Sequence, residues 1–197
     1  PYARAMGRVF DLVLLHILWI VCSIPIVTIG ASTTALFTVT LKMTKNQESY
    51  IVRSYFDAFK SNFIKATKLW MIAAISFIWI LGSLYICMQG NTMLLKIAGI
   101  ANAAILLMIF LAGLYVFPIQ ARYENCIIGI LKNSVICSLR FLPYSIGMAA
   151  VIIIPVLLTG FIEPIFPIMI AVWIFGGSSL IAYAQSCLLT MVFQKIG

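Results

Sequence analysis

Leu69-Trp70-Met71-Ile72-Ala73-Ala74-Ile75-Ser76-Phe77-Ile78-Trp79-Ile80-Leu81-Gly82-Ser83-Leu84-Tyr85-Ile86-Cys87-Met88 carries no charge and is apolar on every helical face. A hydrocarbon core about 30 Å thick is crossed by roughly 20 such residues in a helix. Lipid offers no partner to a backbone N–H or C=O, so a crossing segment is a helix or part of a closed barrel. Barrel strands alternate apolar and polar over about ten residues. Neither Ile72–Ile80 nor Ala149–Leu158 alternates. The fold class predicted is all-α, a polytopic membrane helical bundle.

The flanking sequence repeats the pattern. Ile97–Phe117 is equally apolar, and between Asp11 and Ile24 only His16 and Ser23 are polar. Over the whole chain 63% of residues are hydrophobic, 9% are charged and the mean hydropathy is +1.13. Soluble domains hold about 45–50% apolar and about 25% charged residues, so too little polar surface exists here to cover a globule in water. The first apolar run follows Arg4 and Arg8 as a signal peptide would, but no A-x-A-like site succeeds it and it is expected to be retained.

The net charge of +8 invites a nucleic-acid reading. The 13 Lys and Arg flank apolar runs rather than forming one patch, so they read as topology determinants and no nucleic-acid partner is expected. All but Lys96 fall on one side if the chain makes three in-and-out hairpins. Six crossings with both termini cytoplasmic satisfy this; four full spans plus a re-entrant first hairpin is the alternative. The predicted organisation is one membrane domain over residues 1–197: hairpins 1–46, 67–118 and 141–195, with interfacial helices 49–66 and 121–140 between them. The first hairpin turns at Pro25, Thr28 and Gly30. Pro25 ends a helix, Gly30 tolerates positive φ, and Ser32 or Thr33 is placed to cap the next helix.

The cytoplasmic connectors hold the candidate partner-docking residues. Ile51, Tyr55, Phe59 and Phe63 recur every four residues opposite Arg53, Asp57 and Lys60, with Asn62 nearby, as in an interfacial amphipathic helix. Glu124 and Lys132 belong to the second connector. An offset of 72 residues separates Lys60 from Lys132 and Lys68 from Arg140, and suggests two parallel copies of a connector-plus-hairpin unit.

Gly7-Arg8-Val9-Phe10-Asp11, His16-Ile17-Leu18-Trp19 and the run from Ser23 to Leu36, continued by Ser54-Tyr55-Phe56 and Phe59-Lys60-Ser61-Asn62-Phe63, resemble the YesL family of bacterial membrane proteins. Where that family often has Asn, this chain has His16. The resemblance implies a bacterial cytoplasmic membrane protein found beside genes for sugar uptake and polysaccharide breakdown, with no established activity. Glu124, Gly129, Leu142 and Pro143 also loosely resemble the coupling loop of ATP-binding-cassette importer permeases, departing from it at Asn125 and Cys126.

Candidate polar intramembrane residues are Asp11, His16, Asn102 and Gln120. Asp11 lies within i, i+3 reach of Arg8. Ser178, Ala182 and Ser186 give a small-residue face for close helix packing. The five Cys lack metal spacing and read as small buried hydrophobes, and HExxH, GxSxG and GxxxxGK patterns are absent from the sequence. The expectation is therefore a non-enzymatic protein without cofactors, and the resemblance to the YesL family implies an accessory component of carbohydrate uptake. Its partners are the lipid bilayer, a sugar-importer permease or ATPase, and a second copy of the chain. The alternative is a small stand-alone transporter or channel-like carrier, lined by the four intramembrane residues.

Overall fold

The computed structural model describes residues 2–47, 50–90, 92–123, 126–161 and 166–195. Helices are α1 (Tyr2–Ser23), α2 (Ile29–Thr44), α3 (Ile51–Gln89), α4 (Met93–Arg122), α5 (Ile127–Arg140), α6 (Leu142–Phe161), α7 (Phe166–Phe175) and α8 (Gly177–Gln194). A single 3-10 turn over Ile26–Thr28 joins α1 to α2. Five of the helices (α1, α2, α3, α4 and α6) are long and apolar enough to cross a membrane. α7 and α8, bent by 80° at their junction, make a sixth crossing if taken together. Trp79, Ile78 and Ile100 are 78%, 69% and 72% exposed, and such side chains have their natural solvent in lipid. The chain is a multi-pass membrane protein.

α2 lies at the centre. In its candidate span 61% of residues are buried, against 17% or less in those of α1, α3, α4 and α6. It packs against α1, α3, α4 and α8. Small side chains permit this. A Cβ on Gly30 would sit 2.5 Å from the Ala66 carbonyl oxygen and 2.6 Å from the Trp70 Cβ, so α3 rests on bare backbone there. Buried hydroxyls on α2 are satisfied locally or by neighbours. Thr34 and Thr40 donate back to the carbonyls of Gly30 and Leu36 at 2.8 and 3.0 Å. Ser32 Oγ meets the Tyr55 hydroxyl at 2.7 Å, and Thr40 Oγ1 meets Ser186 Oγ at 2.8 Å. Ala182 and Ser186 are buried, so the small-residue face of α8 is spent inside the chain.

The turn into α2 forms at Pro25 and Thr28, by other means than expected. Thr28 Oγ1 donates to the carbonyls of Cys22 and Pro25 at 2.6 and 2.7 Å. Gly30 is helical rather than positive in φ, and its small size serves the contact with α3. Ser32 and Thr33 lie inside α2 instead of capping it: Ser32 donates to the Trp19 carbonyl at 3.1 Å, and Thr33 accepts from the Trp19 indole at 3.2 Å. α2 ends in a Schellman arrangement, with Asn46 at φ 52 and the Gln47 N–H on the Lys42 carbonyl. Arg8, expected to face Asp11, reaches instead across to the Tyr183 hydroxyl at 3.3 Å and to Asn46 Oδ1, tying α1 to the end of α2 and to the middle of α8.

The larger departure concerns the connectors. Residues 49–66 were expected to form a separate interfacial helix, but from Ile51 the chain runs as one helix through to Gln89. No Pro or Gly lies between Ile51 and Leu81, so nothing in the sequence interrupts backbone hydrogen bonding. The second connector is shorter than expected, because α4 continues past Pro118 to Arg122 and α5 starts only at Ile127.

The end of α4 at Arg122 and that of α8 at Gln194 follow the 72-residue offset. Each long helix of the first half corresponds to a broken pair in the second. Pro143, at the start of α6, stands where α3 has Met71, and Gly176 and Gly177, at the α7–α8 bend, stand where α4 has Ala104 and Ile105. The Trp173 ring occupies the space a Cβ on Gly177 would fill, 2.6 Å away, which holds the bend.

Replacing Gly30 by Leu is expected to wedge α3 from α2 and destabilise the protein by at least about 1–3 kcal/mol, the range for overpacking a core. Gly82 has nothing within 4 Å of a built Cβ; Gly82→Ala is expected to leave the melting temperature in detergent unchanged or slightly raised. Thermal unfolding of both variants, followed by circular dichroism, checks the pair.

Candidate functional site

The helices overshoot the membrane at the end that carries most of the basic residues, and there they part. At about 1.5 Å per residue, the 39 residues of α3 reach about 58 Å and the 30 of α4 about 45 Å, against about 30 Å of hydrocarbon. Between the ends of α2, α3 and α4 a cavity of about 770 Å³ opens. Lys42, Arg53, Lys65 and Arg122 line it, with Asp57 as the one carboxylate among its described lining residues. Lys42 and Arg122 stand in the last turns of α2 and α4, where a cation complements the helix dipole.

Its floor is polar and ordered. Asn62 donates through Nδ2 to the Ala58 carbonyl at 3.1 Å and to Ser61 Oγ at 3.3 Å, which fixes its amide orientation. Its Oδ1 therefore accepts from Gln120 Nε2, at 2.9 Å. Gln120 is 4% exposed, and its Oε1 has no donor among the described residues. Lys42 Nζ donates to Ser54 Oγ at 3.0 Å. The Arg122 guanidinium lies over the Phe193 and Tyr123 rings, 4.5 and 5.2 Å from their centroids. Arg53 and Asp57 form an ion pair of 3.9 Å on an exposed turn. In that setting the pair contributes little to stability.

Of the residues named as docking candidates, Arg53, Asp57 and Asn62 line this cavity. Lys60 is exposed on α3 outside it, and Lys132 is exposed on α5. Glu124 lies outside the described residues. The four intramembrane candidates do not share one cavity. Gln120 forms the floor just described. Asp11 is half-buried on α1. His16 is buried, with Nδ1 2.7 Å from Ser178 Oγ, and so pins α1 to α8. Asn102 donates to Ser83 Oγ at 2.8 Å and to Cys87 Sγ at 3.7 Å, clamping α4 to α3 near their far ends. Lys42, Lys65 and Arg122 complete the site without having been singled out in the sequence. The signal available for them was that each lies at a helix end or on a connector on the basic side.

The first half of the chain alone is equipped in this way. At the 72-residue offset Arg53, Asp57, Asn62 and Lys65 correspond to Asn125, Gly129, Ser134 and Cys137. Gln120 and Arg122 correspond to Val192 and Gln194. Burial pushes the Cys137 thiol up from its ordinary range, with the Arg140 charge working against it, so this position carries a neutral thiol where α3 carries a lysine.

A family model described as "Protein of unknown function, DUF624" matches residues 12–84, which run from α1 through the turn and α2 to Leu84 of α3. The matched region holds Lys42, Arg53, Asp57, Asn62 and Lys65 of the cavity, and stops short of Gln120 and Arg122. No curated protein and no solved structure matches the chain.

Proposed function

We propose that this chain is a non-enzymatic protein of the bacterial cytoplasmic membrane, with both termini in the cytoplasm, that serves as an accessory component of carbohydrate uptake. The side assignment follows from the basic residues, which gather at one end of the helices. The link to carbohydrate rests on the resemblance to YesL-like proteins.

One observation carries the accessory reading: the part of α3 beyond the bilayer's reach. If Leu69–Met88 crosses the hydrocarbon, then Ile51–Lys68 stands on the basic side. Phe56, Phe63 and Ile64 are 39%, 38% and 67% exposed there, beside the exposed Lys60. Aromatic side chains are enriched in protein–protein contacts, and a charge at the rim of one steers the partner. A permease or ATPase of a sugar importer is the partner proposed to cover them.

A photo-cross-linking amino acid placed at Phe63, in the full chain within membranes of its own host, is expected to trap an importer permease or ATPase. Lys60→Glu in the same chain is expected to reduce the adduct several-fold. Adducts to lipid alone, or to a second copy of the chain alone, would refute the importer partnership.

A further inference from the structure

We infer that the cavity between the ends of α2, α3 and α4 is a binding site for a phosphate ester of a hydroxyl-bearing small group, a polyol phosphate. The site is independent of any importer partner, because it uses the inner wall of α3 rather than the outer surface around Phe63.

Charge comes first. Lys42, Arg53, Lys65 and Arg122 approach the same space from three helices, and Asp57 alone opposes them among the described lining. A planar carboxylate is matched by one guanidinium fork. Cations arriving from several directions suit a tetrahedral oxyanion, whose oxygens point several ways. Arg122 is held in place by the Phe193 and Tyr123 rings beneath it, so less freedom is lost when it binds.

The second feature is the floor. Gln120 Oε1 is buried and has no donor among the described residues, and the chain Ala58–Asn62–Gln120 fixes it as an acceptor. A buried acceptor left unpaired costs about 1–3 kcal/mol. An anion such as sulfate, which offers only acceptors, does not answer it. A hydroxyl does. A ligand that carries both a phosphate and a hydroxyl satisfies the cations and the floor together, and about 770 Å³ accommodates one.

The third feature is the comparison within the chain. At the 72-residue offset the second half has Asn125, Gly129, Cys137, Val192 and Gln194 in place of Arg53, Asp57, Lys65, Gln120 and Arg122. At these positions the first half adds charged and hydrogen-bonding groups to its helices.

Two sources share this chemistry: a soluble polyol phosphate and the glycerophosphate headgroup of phosphatidylglycerol. The full chain in neutral detergent, titrated calorimetrically, is expected to bind sn-glycerol 3-phosphate about tenfold more tightly than sulfate if the source is soluble. Lys65→Gln, on an exposed position, is expected to weaken both by several-fold. Gln120→Met is expected to erase the preference. If the source is lipid, the chain taken from phosphatidylcholine vesicles containing one-fifth phosphatidylglycerol is expected to retain phosphatidylglycerol in native mass spectrometry, and the Lys65→Gln chain to lose it. Sulfate binding as tightly as glycerol phosphate would overturn the hydroxyl contact, and absence of both glycerol phosphate binding and lipid retention would overturn the site.

Discussion

Trp70 and Ala66 of α3 press directly on Gly30 of α2, and much of the molecule's shape follows from that approach. Without a Cβ at this point, the backbones meet closely enough for α2 to be enclosed by α1, α3, α4 and α8. Apolar solvent gives helices little hydrophobic reason to associate, so contact through small residues and hydrogen bonds between helices does that work. The bonds of Ser32 to Tyr55 and of Thr40 to Ser186 belong to the same pattern. A helix rich in Ser and Thr becomes the centre because its hydroxyls find carbonyls, other hydroxyls or, at Thr33, the Trp19 indole.

Enclosing a short helix among long ones has a consequence at the basic end. α2 stops at Thr44, turned by Asn46, while α3 begins beyond the bilayer and α4 runs on to Arg122. The three ends do not close over one another, and the gap between them is the cavity. The cations there are placed by topology: basic side chains stay on one side of the membrane, and helix C-termini favour them. The buried amide pair of Asn62 and Gln120 has no such general cause, and it is the feature that makes the cavity specific.

Much of this was legible in the sequence. Uniform apolarity of Leu69–Met88 gave helices, and the distribution of Lys and Arg required the first stretch to return on itself at Pro25. The offset between Lys60 and Lys132 equals the spacing between the ends of α4 and α8. The continuity of α3 was missed because its amphipathic half and its apolar half have different periodicity, although only a Gly or Pro between them would have broken it. The function of Gly30 was misread, since packing against a distant helix leaves no local mark. Asn62 and Gln120 lie 58 positions apart in the chain, and spacing alone does not join them.

The account rests on the basic ends of the helices lying in the cytoplasm, with the α3–α4 turn outside. Single cysteines at Lys60 and at Gln89, introduced into a chain whose five native cysteines are serine, measure this directly in intact cells with a membrane-impermeant maleimide. The account predicts that the cysteine at 89 is labelled from outside, and that the one at 60 is labelled only after the membrane is opened. Labelling at 60 in sealed cells, with 89 protected, would contradict it.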